Sequence, residues 1–126
     1  MSHNILVVDD SATTRTYVKR TLALSGIAPE NVFEAASGRE ALDRLAQGDI
    51  DLVLSDLNMP EMDGTSLVRE MAATPQLAFI PVIIISTEGS KPKLEKLLRS
   101  SVVGFLRKPF TPEQLRDILQ DRLVTT

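Results

Sequence analysis

The sequence has no cysteine and only one histidine, His3. The first absence removes disulfide frameworks, thiol catalysis and cysteine-ligated metals together. The second removes histidine-based zinc sites and Ser-His-Asp triads, since His3 stands alone at the start of the chain. Any metal must therefore be a hard cation held by oxygen. No apolar run approaches the roughly 18 residues that a membrane span requires. Met1-Ser2-His3-Asn4 leads straight into strand-like residues, without the basic and long apolar regions of a secretory signal. These features set the expectation of a cytoplasmic protein with no membrane insertion. An excess of positive charge is also missing: the formal net charge is −3, which offers no whole-protein attraction for nucleic acid.

The chain has 126 residues, enough for one compact domain with a proper core, and residues 1–126 are expected to form it. There is no repeat, low-complexity tract or linker, and the useful signal is an alternation of two hydrophobic patterns. Ile5 to Val8, Leu52 to Leu54 and Val82 to Ile85 are short continuous apolar runs rich in β-branched residues, as expected of strands buried on both faces. Val32 to Ala35 and Phe105 to Leu106 are weaker examples. Between the runs lie helically spaced residues: Val18 and Leu22; Ala41, Leu42 and Leu45; Leu67, Val68 and Met71; Leu94, Leu97 and Leu98; Leu115, Ile118, Leu119 and Leu123. Ser37-Gly38-Arg39-Glu40 and Thr111-Pro112-Glu113-Gln114 read as capping boxes, and Gly26 as a helix stop. Thr13, Thr14, Thr16 and Thr21 are poor helix formers, so the first helix must be held by packing. Five strands alternating with five helices predict an α/β fold, a doubly wound parallel sheet covered on both faces. Ligands of such sheets bind beyond the carboxyl ends of the strands, where strand order reverses.

The residues at those ends carry the chemistry. The first strand runs into Asp9-Asp10 and the third into Asp56, so three carboxylates are expected to converge. At about 4 Å and an effective dielectric near 20, each like-charged pair costs on the order of 4 kcal/mol, and something must neutralise them. Mg²⁺, which prefers octahedral oxygen ligation and retains waters, suits such a set. Each aspartate alone reads more readily as a cap for the following helix, but two adjacent acids and a third after a separate buried strand weigh against that, and Ser11 is available to take the capping role instead. The fourth strand ends in Ser86-Thr87 and the fifth in Lys108-Pro109; singly, these would be a cap and a surface lysine. Acids, a hydroxyl and a lysine at the ends of four strands suit phosphoryl transfer, where positioning and charge neutralisation dominate. A carboxylate can itself be the nucleophile and form an acyl phosphate.

Asp9-Asp10, the stretch Asp56-Leu57-Asn58-Met59-Pro60-Glu61-Met62-Asp63-Gly64, Ser86, and Gly104-Phe105-Leu106-Arg107-Lys108-Pro109-Phe110 together resemble the signature of the CheY-like response-regulator receiver family over essentially the whole chain. The resemblance implies a flavodoxin-like sheet of order 2-1-3-4-5 with five helices. It implies that Asp56 accepts a phosphoryl group from a histidine kinase or a histidine phosphotransfer protein. Asp10, Asp56 and the Asn58 carbonyl would hold Mg²⁺, with Asp9 acting mainly through water. Lys108 would neutralise the phosphoryl oxygens, and its bond to Pro109 is expected to be cis. Ser86 would swing to the phosphoryl group and Phe105 would turn inward, a two-state element biased by a local charge change. Asn58 and Glu88 stand at the positions that tune phosphate lifetime in relatives and favour a short-lived signal.

Three departures from the family pattern concern the switch surface. Phe105 stands where Tyr is frequent, which removes a hydroxyl. Thr87 is bulkier than the usual Ala or Gly and narrows access to the phosphate. Ser100-Ser101-Val102 replaces the frequent Ala-Gly-Ala, so the preceding helix is expected to end irregularly.

The resemblance thus implies a signalling switch rather than an enzyme, one that changes affinity for a downstream target through the face of the fourth helix, fifth strand and fifth helix. Lys91, Lys93, Lys96, Arg99 and Arg107 would make part of that face basic, attractive to an acidic partner or simply solvated. The expected state is a monomer or a weak phosphorylation-dependent dimer. The alternatives are a receiver cut from a longer regulator, a pseudo-receiver scaffold, and a magnesium-dependent aspartyl-phosphate phosphatase. The last wants an acid two residues after the nucleophile, where this chain has Asn58.

Overall fold

The computed structural model describes residues 3–57, 59, 64–86, 102–108 and 110–123. In chain order they form β1 (Ile5–Val8), α1 (Ala12–Leu24), a 3-10 turn (Pro29–Asn31), β2 (Val32–Ala35), α2 (Gly38–Ala46), β3 (Leu52–Asp56), α3 (Gly64–Ala72), β4 (Val82–Ser86), β5 (Val102–Arg107) and α4 (Pro112–Leu123). The five strands pair in parallel in the order β2-β1-β3-β4-β5, as the resemblance implied. Four α-helices occur among the described residues; the further helix expected around Leu94, Leu97 and Leu98 lies outside them, as do Ser100 and Ser101.

Strand alternation divides the core into two layers. Ile5, Val7, Leu52, Leu54, Ile83 and Ile85 point to one side and pack with Val18 and Leu22 of α1 and Leu115 and Leu119 of α4. Leu6, Val8, Val53, Val82 and Ile84 point to the other and pack with Ala41 and Leu45 of α2 and Leu67, Val68 and Met71 of α3. Because both faces are covered, the strands read as unbroken apolar runs rather than as alternating patterns. β2, at the sheet edge, is less enclosed: Val32 and Phe33 are only half-buried and Glu34 is exposed. The Arg44 guanidinium lies 4.3 Å from the Phe33 ring centre and covers part of that edge.

The helix ends follow the local chemistry. Ser11 caps α1 by accepting the Thr14 N–H. Thr111 and Gln114 exchange both bonds of a capping box ahead of Pro112. In α2, Ser37 accepts the Glu40 N–H, while the Glu40 carboxylate reaches the N–H of Ala36 instead of Ser37. At the end of α1, Gly26 adopts φ +94°, the Gly26 N–H reaches the Ala23 carbonyl, and the Ile27 N–H reaches that of Leu22. This is the Schellman arrangement, which favours glycine because a side chain is strained there. The threonine-rich α1 is held as packing requires, with Val18, Thr21 and Leu22 buried.

β5 is longer than the Phe105–Leu106 segment expected, and Val102 opens it. The β4–β5 register slips by one residue between Val82↔Val102 and Ile83↔Gly104, so β5 accommodates one extra residue there. Gly104 then lets α4 approach: a methyl group at this position would lie 2.8 Å from Cδ1 of Ile118.

Ile83 is fully enclosed between β3, β5 and the helices on its face. Truncation by Ile83→Ala is expected to cost about 2–5 kcal/mol, read as a lowered midpoint of urea unfolding with an unchanged slope.

Candidate functional site: an acid cluster at the strand ends

β1 and β3 are adjacent and parallel, and strand order reverses between them, since β2 lies on one side of β1 and β3 to β5 on the other. Their carboxyl ends therefore deliver Asp9, Asp10 and Asp56 to one place. One carboxylate oxygen from each lies within 4.8 Å of those of the other two. Lys108, the first residue beyond β5, reaches the same place, with its Nζ 3.0 Å from Oδ2 of Asp9 and 3.7 Å from Oδ1 of Asp56. Among the described residues, one ammonium thus faces three carboxylates.

The three acids are not equivalent. Asp9 is buried, at 4 % exposure, and is bonded from every side. Its N–H donates to the Ala35 carbonyl, its Oδ1 accepts the Ser11 N–H at 2.9 Å, its Oδ2 accepts from Lys108, and its carbonyl accepts from Nη1 of Arg15. The sequence reading left the acids free while Ser11 capped α1. The structure divides the work differently: Ser11 does cap the helix, but one oxygen of Asp9 is spent on the turn before it. Asp10 is exposed, and Asp56 is intermediate.

Ser86 ends β4 at the same edge, paired with Arg107 of β5. Phe105 is half-buried and packs against the core layer of α2 and α3. Asn58, Thr87, Glu88, Lys91, Lys93, Lys96, Arg99 and Pro109 lie outside the described residues. Arg15 was missed in the sequence. It sits in the second turn of α1, with its Nε 3.0 Å from Oε1 of Glu34, while Lys19 holds the other Glu34 oxygen at 3.0 Å. The position of an arginine one to two turns after an acid pair was the available signal.

The set fits a magnesium ion. All the donors are hard oxygens, the kind of ligand Mg²⁺ prefers, and they lie within 4.8 Å of one another. An exposed Asp10 leaves room for retained waters, and a divalent cation would offset the repulsion among the three carboxylates. Two other clefts are present among the described residues. One of about 550 Å³, lined by Leu45, Ile50, Leu77, Phe79 and Ile80, lies at the opposite end of the strands and gathers no charged cluster. Another, of about 620 Å³, runs along β5 and α4 past Phe105, Lys108, Gln114 and Asp117.

A parallel sheet in this order, with an acid pair, a third acid and a lysine drawn together at its switch point, has the architecture of a receiver. The family model of the response regulator receiver domain matches residues 5–120, and the chain belongs to that family. It is 40% identical to a chemotaxis protein CheY homolog of Campylobacter jejuni over 96% of this chain and 92% of that one. It is 42% identical to chemotaxis protein CheY1 of Helicobacter pylori over 92% and 93%. Among solved structures it resembles chemotaxis protein CheY4 of Vibrio cholerae, with a TM-score of 0.87 and 36% identity, covering 98% of this chain and 100% of that one. It also resembles the receiver domain of a sensor histidine kinase from Pseudomonas aeruginosa, at a TM-score of 0.85 and 26% identity over 99% and 100%, a structure with magnesium coordinated in its active site cleft. CheY-like receiver domains are switches of two-component signalling, phosphorylated by histidine kinases and read by downstream targets, rather than conventional enzymes. No helix among the described residues is long and apolar enough to cross a membrane.

Crowded carboxylates store repulsion. Without divalent cation, Asp10→Asn is expected to stabilise the fold by about 1 kcal/mol or more, seen as a raised unfolding midpoint in chelator. A second expectation concerns Glu34. The hydrogen bond from Lys19 lowers its carboxyl below the ordinary value, partial burial opposes this, and Arg15 adds to the lowering. A depressed folded value means that the stabilisation is present above pH 4.5 and is lost as pH falls through the folded value. Because Glu34 is more than a third exposed, the gap between wild type and Glu34→Gln should stay below about 1 kcal/mol at pH 7 and close in acid, as followed by unfolding at a series of pH values.

Proposed function

We propose that the chain, as one receiver domain over residues 1–126, is a magnesium-dependent phosphorylation switch with Asp56 as phosphoacceptor. The observation that carries this reading is the gathering of Asp9, Asp10 and Asp56 within 4.8 Å, with the Lys108 ammonium between Asp9 and Asp56. A carboxylate beside a lysine, in an acid cluster suited to hold a divalent cation, can receive a phosphoryl group. In the transfer, a carboxylate oxygen of Asp56 attacks phosphorus in a phosphohistidine. The O–P bond forms as the P–N bond breaks, and the freed imidazole takes its proton from solvent. The donor is a sensor histidine kinase or a histidine phosphotransfer protein.

Asp10, Asp56 and the Asn58 carbonyl would hold the magnesium, with Asp9 acting through water. The metal supplies the positive charge that the phosphoryl oxygens and carboxylates lack. Asp9, already committed to Ser11 and Lys108, is suited to orienting rather than direct ligation. Lys108 exchanges its bonds with Asp9 and Asp56 for the new phosphoryl oxygens. Ser86 and Phe105 respond as the switch pair, and Asn58 and Glu88 set the lifetime of the acyl phosphate. The output is altered affinity for a target protein on the face of β5, α4 and the segment preceding β5. The chain acts in the cytoplasm as a monomer or a weak phosphorylation-dependent dimer, without contact to nucleic acid.

The test is incubation with a small phosphodonor, followed by intact mass under conditions that preserve acyl phosphates. One phosphate per chain is expected, requiring both Mg²⁺ and Asp56 and absent from Asp56→Asn. Uptake that persists in the Asn variant would remove Asp56 from the role.

A further inference from the structure

The Lys108 ammonium lies 3.0 Å from Asp9 and 3.7 Å from Asp56, carried on a residue just beyond the end of β5. β5 ends at Arg107 and α4 begins at Pro112. The forward end is fixed by the capping box of Thr111 and Gln114. Two residues after Lys108, Phe110 buries its ring in the core layer of α1 and α4. A buried residue must also satisfy its carbonyl, and the partner is Tyr17 of α1, whose hydroxyl donates to the Phe110 carbonyl at 2.6 Å. The two rings meet edge to face, with centres 5.4 Å apart and planes at 66°. Tyr17 is 45% exposed, so burial alone does not account for an aromatic at this position. What it gains is a hydrogen bond and a ring contact that join α1 to the lysine-bearing segment.

We propose that Tyr17 is a positioning residue for Lys108, a latch from α1 that fixes the Phe110 end of the segment and so the reach of the ammonium. This rests on the reading of Lys108 as the group that neutralises the phosphoryl oxygens. Coupling between two positions is reciprocal. If Tyr17 sets the place of Lys108, then drawing Lys108 from Asp9 toward a phosphoryl group perturbs Tyr17. The chain has one tyrosine and no tryptophan, so its tyrosine emission reports the surroundings of Tyr17.

The experiment joins emission and rate on the intact protein. With Mg²⁺ and a small phosphodonor, tyrosine emission should change in step with phosphate uptake measured by mass, and the change should be absent in Lys108→Ala carrying phosphate. Tyr17→Phe keeps the ring and loses the bond. It should slow uptake on the order of tenfold. In a Lys108→Ala background the same substitution should cause no further slowing. Full phosphorylation with unchanged emission, or a Tyr17→Phe rate equal to wild type, overturns the latch and leaves the reading of the site standing. Equal slowing in both backgrounds reduces Tyr17 to a structural role. A wild-type protein that takes up no phosphate sinks the Asp56 reading and the latch with it.

Discussion

The structure turns on a surplus of negative charge at one edge of a parallel sheet. Three carboxylates meet where β1 and β3 end, and among the described residues the Lys108 ammonium from beyond β5 stands with them. Hydrophobic burial on both faces of the sheet is what allows this, because Ile5, Leu6, Leu52, Val53, Leu54 and Ile83 are fully enclosed and fix the strands that carry the acids. The site itself works against stability, as sites that await a cation or a reactive group commonly do. Asp9 shows how the surplus is contained. It is the most buried of the three and has a partner for its N–H, its carbonyl and both carboxylate oxygens. Asp10 is exposed and Asp56 intermediate, and the Lys108 ammonium lies 3.7 Å from Asp56.

α1 serves as the frame of this site although it is poor in helix formers. Its cap, Ser11, shares a turn with Asp9; Arg15 ties the Asp9 carbonyl to Glu34 of β2; and Tyr17 ties the segment after β5. Packing of Val18, Thr21 and Leu22 against the sheet and a Schellman stop at Gly26 supply what propensity does not. One helix thus holds both loops that carry the acid pair and the lysine.

Legibility in the sequence followed burial. β1, β3 and β4 stood out as β-branched runs because they are covered on both faces. β2 was fainter because an edge strand needs fewer apolar positions, and β5 was read too short because Gly104 interrupts its apolar run where Ile118 comes close. The acids were legible because strand ends are marked by the runs that precede them. Tyr17 was not, since it acts through a bond to a main-chain carbonyl, and a carbonyl leaves no trace in the sequence. Tyr17 and Phe110 are 93 residues apart, and no local pattern joins them.

By itself, the sequence determined the alternation of strands and helices, the helix caps at Ser11, Ser37 and Thr111, and the presence of acids, a hydroxyl and a lysine at strand ends, because period, capping and turn chemistry are local. Tertiary structure alone decided which aspartate is buried and spent on its own turn, which is exposed, and how far Lys108 reaches toward each. Those depend on the register of parallel strands and on side chains that meet across the fold, and both are set only when the two core layers close.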